Sequence, residues 1–182
     1  MADFIKAFHY MIVNEDSTLS GKIYPDNNGA LTRFGLNAAA NPSLKDSGYY
    51  DQNPDRTPRM PNATALLLAQ KIYCTKYWTK VQGEQIVSQL VADKMFDCEV
   101  NTGDAPKLLQ HYLHSITPMI VVDGYIGPKT LAFVNSLDPA KVLVGFVLWW
   151  NWYITQELKN NPADKEYEKN WRARANKYPP LS

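Results

Sequence analysis

Apolar residues recur at helical spacing from the first positions of the chain: Phe4, Phe8, Met11 and Ile12 form one stripe, and Asp3 stands where an N-cap belongs. The pattern predicts an amphipathic helix running to about Asn14, with Glu15 at its C-terminal end. The pattern changes from Ser20 to Leu36. Lys22, Ile23 and Tyr24 read as a short strand, Pro25 to Gly29 as turn chemistry, and Leu31 to Leu36 as the returning partner, which together predict one small β-hairpin. Ala38 to Asn62 holds Pro42, Pro54, Pro58 and Pro61 among many Asn, Asp and Ser, too broken for a long helix. Its Tyr49 and Tyr50 read either as residues facing sugar or as ordinary loop tyrosines.

Beyond Asn62 the apolar period is helical almost to the end, over Ala63 to Trp78, Glu84 to Val100, Ala105 to Ile116, Pro128 to Leu137, Pro139 to Lys159 and Ala163 to Lys177. Asp104 and Asp138 precede two of these segments as candidate caps, and Pro106, Pro128 and Pro139 fall near first turns, where a missing amide hydrogen costs nothing. Trp149, Trp150 and Trp152 crowd one apolar helix and read as core, since three indoles so close cannot all face a cleft. The fold class expected is mainly α, with one small β-hairpin near the N-terminus. There is no internal repeat and no Gly/Ser linker; a loose boundary falls near Ile116 to Val122.

At 182 residues the chain suits one domain or two small intimate ones. Nineteen Lys and Arg against 18 Asp and Glu give a formal net charge of +1, without the basic block of a dedicated nucleic-acid binder. Cys74 and Cys98 lie among apolar neighbours in predicted helices and read as buried thiols and not as a disulfide framework. Met1 to Met11 carries Asp3, Lys6 and His9 and does not resemble a signal peptide. The most apolar window, Val142 to Ile154, contains Asn151 and is short of the roughly 20 residues that span a bilayer, so no stable membrane insertion is expected. His111 and His114 are spaced as metal ligands can be, but no Cys or acid cluster completes a site. No metal and no cofactor are expected.

Cleaving a glycosidic bond requires a carboxylic acid to protonate the leaving oxygen, and usually a second carboxylate to activate water or to stabilise developing positive charge. A carboxyl group at a helix C-terminus faces the negative end of the helix dipole, which favours the protonated form, so Glu15 suits the acid. Asp26, in a polar turn, suits the carboxylate, and the Thr32 hydroxyl suits the holding of a water. By spacing alone the same residues also read as a solvated helix end and a turn former.

The stretch from Glu15 to Leu36, Glu-Asp-Ser-Thr-Leu-Ser-Gly-Lys-Ile-Tyr-Pro-Asp-Asn-Asn-Gly-Ala-Leu-Thr-Arg-Phe-Gly-Leu, resembles the opening signature of glycoside hydrolase family 108. That family pairs a Glu-Gly-Gly-Tyr motif with a downstream Asp-x-Gly-Gly-x-Thr-x-x-Gly-Ile/Val motif. The stretch is also similar to the phage lysozyme order of Glu, Asp and Thr on a helix end and hairpin. Phe96 to Gly103 is similar to the family's helix ending in Asn-x-Gly, and Val122 to Thr130 resembles the Asp-Gly-x-x-Gly-Pro-x-Thr signature of its C-terminal peptidoglycan-binding region. Tyr153, Tyr167 and the Trp171-Arg172-x-Arg174 pattern fit that region as well.

The resemblance implies a lysozyme-like helical fold, a catalytic region over residues 1–118 and a peptidoglycan-binding-like region over 119–182. It implies an N-acetylmuramidase of the phage endolysin or secretion-activator type, bacteriolytic, cutting the β-1,4 bond between N-acetylmuramic acid and N-acetylglucosamine in peptidoglycan strands. Glu15, Asp26 and Thr32 would be catalytic, and Tyr24 and Asn101 substrate-binding. The protein would be made in the cytoplasm, leave through a holin or a secretion system, and act on the wall in the periplasm or outside the cell. Two departures from the motif stand out. Asp16 and Ser17 replace the Gly-Gly after the acid, and the hairpin motif is one residue longer, so the second carboxylate aligns with Asp26 or with Asn27. The competing reading is a catalytically silent peptidoglycan-binding or secretion-accessory protein.

Overall fold

A computed structural model describes residues 1–26 and 28–180. Asn27, the alternative position for the second carboxylate, lies outside the described residues. Helix α1 spans Phe4–Glu15, and Asp3 caps it as its position predicts: the Asp3 carboxylate accepts from the Ile5 and Lys6 amides at 2.7 and 3.1 Å. The chain divides into two compact units, one made of Met1–Tyr10 with Lys76 onward, the other of Met11–Thr75.

The Met11–Thr75 unit is built around a three-stranded antiparallel sheet, β1 (Tyr24–Pro25), β2 (Leu31–Arg33) and β3 (Leu36–Asn37), in that order. The expected hairpin is β1–β2. The third strand arises because Phe34 and Gly35 take φ of +48° and +73°, the two-residue turn whose twist matches flanking strands. The proline-rich stretch stays irregular, with a 3-10 turn at Pro42–Leu44 and an isolated bridge between Gln52 and Pro58. Arg33, wholly buried, ties it to the sheet: its guanidinium donates to the carbonyls of Gly21, Tyr49 and Met60 and to Asn62 Oδ1, at 2.8 to 3.1 Å. Tyr49 and Tyr50 do not face sugar. Both are buried, and their hydroxyls donate to the carbonyls of Arg33 and Leu36, so they are the underside of the β2–β3 hairpin. Helix α2 (Asn62–Tyr73) follows and widens into a π-helical turn at Cys74–Trp78.

The larger unit contains α3 (Gln89–Thr102), α4 (Ala105–Ile116), α5 (Pro128–Ser136), α6 (Pro139–Asn160) and α7 (Glu168–Asn176). Phe4, Trp78 and Phe96 meet at its centre with ring centroids 5.6 to 5.9 Å apart. Gly145 lets α4 and α6 approach closely, since a Cβ there would lie 2.0 Å from Tyr112 Cε2. The C-terminal end of α7 is held by the buried Lys94, whose ammonium donates to the carbonyls of Arg174 and Lys177 at 2.8 and 2.6 Å and lies over the Trp150 ring. Burial pushes the Lys94 pKa down to about 8, against the pull of Asp97.

Several boundaries differ from the periodicity, each for a local reason. The segment expected to start at Glu84 opens with a 3-10 turn, Gly83–Gln85, then turns extended at Ile86, so α3 begins only after Ser88, whose side chain accepts from the Val91 amide. The last helix likewise opens as a 3-10 run, Pro162–Tyr167. Asp138 caps α6 as expected, accepting from Ala140 at 2.8 Å. Asp104 occupies the N-cap position of α4 as expected, but its side chain accepts no capping hydrogen bond and pairs with Lys107 at 3.4 Å; the Ala105 amide donates to Glu99 at 3.2 Å. Neither Cys74 nor Cys98 is in a disulfide, and Cys98 is fully buried. Among the described residues no single helix is long and apolar enough to cross a membrane.

Candidate functional site

Helix α1 delivers Glu15, half-buried, to the β2–β3 turn. A Cβ built on Gly35 would lie 2.7 Å from Glu15 Oε2 and 2.9 Å from Glu15 Cβ. The carboxyl group therefore rests against the bare α-carbon of a glycine, and any side chain there would displace it. The next residue, Asp16, folds the segment that separates Glu15 from the sheet. Its carboxylate accepts from the amides of Ser20 and Gly21 at 3.1 and 2.8 Å and from the Thr18 hydroxyl at 3.1 Å. Burial opposes ionisation of Asp16, but these hydrogen bonds outweigh it and hold the carboxyl below its ordinary value.

The sheet aligns the other candidates in register. Tyr24 on β1 is opposite Thr32 on β2, and Thr32 is opposite Asn37 on β3. Directly paired residues project to the same face, so Tyr24, Thr32 and Asn37 form one row across the sheet. Tyr24 is 43% exposed and Thr32 is buried. Partial burial raises the Tyr24 pKa, and the negative charges of Glu15 and Asp16 raise it further, which places the phenol within electrostatic reach of both carboxylates.

Asp26 closes the far end of the row. Its Oδ1 accepts from the amides of Asn28 and Ala30 at 2.9 and 2.8 Å, and its Oδ2 accepts from Asn37 Nδ2. Asn37 is fixed in turn, since its own Oδ1 accepts from the Ala39 amide at 2.7 Å. The arrangement places a carboxyl group at a helix end, a row of hydroxyl and amide groups, and a carboxylate of fixed orientation on one sheet.

Sequence reasoning selected Glu15, Tyr24, Asp26 and Thr32, and the structure gathers all four in one unit. It missed Gly35, Asn37 and Tyr73, whose hydroxyl donates to the Phe34 carbonyl at 3.0 Å. A two-residue Phe-Gly turn between Thr32-Arg33 and Leu36-Asn37 was the available signal for the first two. Tyr73 comes from a distant helix and carries no local signal. Asn101 lies half-buried in the last turn of α3, in the other unit.

The remaining candidates lie in the larger unit. Asp123 sits in a turn organised by Gln110, which donates to its carboxylate at 2.7 Å and accepts from the Asp123 and Gly124 amides. The following helix starts at Pro128 as expected, beside a groove of about 430 Å³ lined by Met119, Val121, Tyr125 and Lys129. Of the three indoles only Trp150 is core; Trp152 is 47% exposed, and Trp149 stacks on His111 at 4.6 Å. His111 is thus shielded by an indole and not fully solvated, and burial lowers its pKa. Among the described residues no group of three His, Cys, Asp or Glu is placed to hold a metal ion.

Comparison with the curated proteins finds no match. Among solved structures the chain is similar to Brucella abortus SagA, at 22% identity and a TM-score of 0.65 over 94% of this chain and 88% of that one, a likeness that shows the fold. Residues 21–103 match the family described as Glycosyl hydrolase 108, a stretch that includes Tyr24, Asp26, Thr32 and Asn101 and begins just after Glu15. Over residues 21–103 the chain is therefore similar to a family of glycosyl hydrolases.

Proposed function

We propose that the protein is a lysozyme-like N-acetylmuramidase that cleaves the β-1,4 bond between N-acetylmuramic acid and N-acetylglucosamine in peptidoglycan, with Glu15 as the general acid. The observation that carries this reading is the seat of the Glu15 carboxyl on Gly35, in the turn between the strands that carry Thr32 and Asn37, where Asn37 donates to another, oriented carboxyl group. In this reading Glu15 protonates the glycosidic oxygen, the Asp26 carboxylate stabilises the positive charge that develops on the sugar ring, and the Thr32 hydroxyl holds the attacking water. The exposed Tyr24 ring contacts the sugar, and Asn101 binds substrate. Residues 119–182 serve as a peptidoglycan-binding-like region beside the catalytic residues 1–118, and the protein reaches the wall through a holin or a secretion system, as an endolysin or secretion activator does.

A second reading has one observation in its favour: all the hydrogen bonds described for Asp26 serve its own turn and Asn37, as they would in a catalytically silent peptidoglycan-binding protein. Digestion of purified sacculi by wild type and Glu15→Gln separates the two. New reducing ends from wild type, lost in Glu15→Gln, are expected. Sacculus binding without reducing ends selects the silent protein, release of amino groups alone rejects the glycosidase class, and activity surviving Glu15→Gln rejects the acid.

A further inference from the structure

We propose that Tyr73 is a positioning residue for the Glu15 carboxyl, acting through the Phe34–Gly35 turn; the proposal rests on the reading of Glu15 as the acid. Tyr73 is the last residue of α2, buried to 1% exposure, immediately before the chain widens into the π-helical turn. Such widenings often occur beside functional sites. Its hydroxyl donates to the Phe34 carbonyl at 3.0 Å. That bond acts on a turn under strain, because Phe34 holds φ at +48°, a conformation a residue with a side chain adopts only when its surroundings enforce it.

The same hydroxyl also reaches the acid's seat. A Cβ at Gly35 would lie 2.6 Å from Tyr73 Oη and 2.7 Å from Glu15 Oε2. The phenol oxygen and the carboxyl oxygen thus converge on one side of a single α-carbon. The bond to the Phe34 carbonyl fixes where the phenol oxygen lies, and with it one wall of the space that the Glu15 carboxyl occupies.

The hairpin supplies its own controls. Tyr49 and Tyr50 are also buried and donate to the adjacent carbonyls of Arg33 and Leu36 at 3.2 and 3.1 Å, but the three atoms nearest to a Cβ at Gly35 belong to Tyr73 and Glu15. A purely structural role predicts that Tyr73→Phe and Tyr50→Phe behave alike. Both variants and wild type would be assayed for reducing ends on soluble glycan strands across pH, and the Glu15 side-chain carboxyl followed by carbon NMR.

Tyr73→Phe is expected to lower kcat about 10- to 100-fold with KM within about twofold, as for an acid displaced by a fraction of a bond length. It should also shift the carbon resonance of the Glu15 side-chain carboxyl. Tyr50→Phe should leave all three as in wild type. Equal behaviour of the two variants, or an unchanged Glu15 carboxyl signal in Tyr73→Phe, overturns the positioning role. A wild type that releases no reducing ends while the carboxyl signal still responds to Tyr73→Phe rejects the glycosidase reading and keeps the contact.

Discussion

Arg33→Lys tests how the sheet that carries Thr32 is held. The Arg33 side chain has no exposure, and its guanidinium makes four hydrogen bonds, from Nε to the Gly21 carbonyl at 2.9 Å, from Nη1 to Tyr49 at 3.1 Å, and from Nη2 to Met60 and Asn62 Oδ1, each at 2.8 Å. The acceptors come from the Asp16 loop, the middle and the end of the proline-rich stretch and the start of α2, so one planar fork joins irregular segments to a helix. Lysine keeps the charge but replaces a fork of donors spread over several ångströms with one ammonium, which can serve about half of these acceptors from one position. Each lost bond to a charged donor costs about 1.5–3 kcal/mol when its acceptor stays buried, so the variant should lose roughly 3–4 kcal/mol. For a chain of this size that lowers Tm by roughly 10 °C. Urea and thermal unfolding would measure the loss, and amide exchange should locate it between Gly21 and Asn62. A cost under about 1 kcal/mol, or exchange that accelerates only in α3 to α7, would refute the claim that Arg33 organises this unit.

Burial lifts the Asp93 pKa to about 6, with the Gln89 amide and Lys6 opposing and Asp3 assisting. The folded state therefore binds the proton more tightly than the unfolded one, and this group's stability is full below about pH 4 and lost as pH rises to about 6. Asp93→Asn should remove that slope and stabilise the protein at pH 7 by on the order of 1–2 kcal/mol; chemical denaturation showing the same slope in the variant would reject the assignment. Asn37→Ala frees one oxygen of Asp26 and should lower turnover on glycan strands about tenfold, but should cost little further when added to Asp26→Asn. Additive losses in that cycle would mean that Asn37 does not act through Asp26.

What the sequence disclosed and what it concealed divide along the range of the interactions. Helix α4 has the predicted limits of Ala105 and Ile116, and Asp3 and Asp138 cap as their positions imply, because capping and periodicity are settled within a turn or two of chain. Asp104 stands at the N-cap as its position implies but makes no capping hydrogen bond, because the N2 residue is Pro106, which has no amide hydrogen, and its carboxylate pairs with Lys107 instead. Tyr49 and Tyr50 were ambiguous because their acceptors lie on strands earlier in the chain. In sequence they are loop aromatics among Asp, Ser and Pro, and only the return of the chain beneath β2 and β3 turns them into hairpin supports.

The site follows the same division, with consequences for its chemistry. Glu15, Asp26 and Thr32 were legible because they belong to one short stretch with a family-like order, and Tyr24 follows from strand register. Their function, however, depends on contacts that no spacing encodes. Gly35 is short of a side chain because the Glu15 carboxyl and the Tyr73 hydroxyl need the room, and Asp26 is oriented by Asn37 from the far strand. A sequence with the same Glu, Asp and Thr but an alanine in place of Gly35 would read almost identically, yet its acid would be pushed off the sheet by a single methyl group. If Glu15 is the acid as proposed, Gly35→Ala should abolish the release of reducing ends while leaving the Glu, Asp and Thr order intact, and a Gly35→Ala protein that keeps wild-type turnover would refute the role of the glycine.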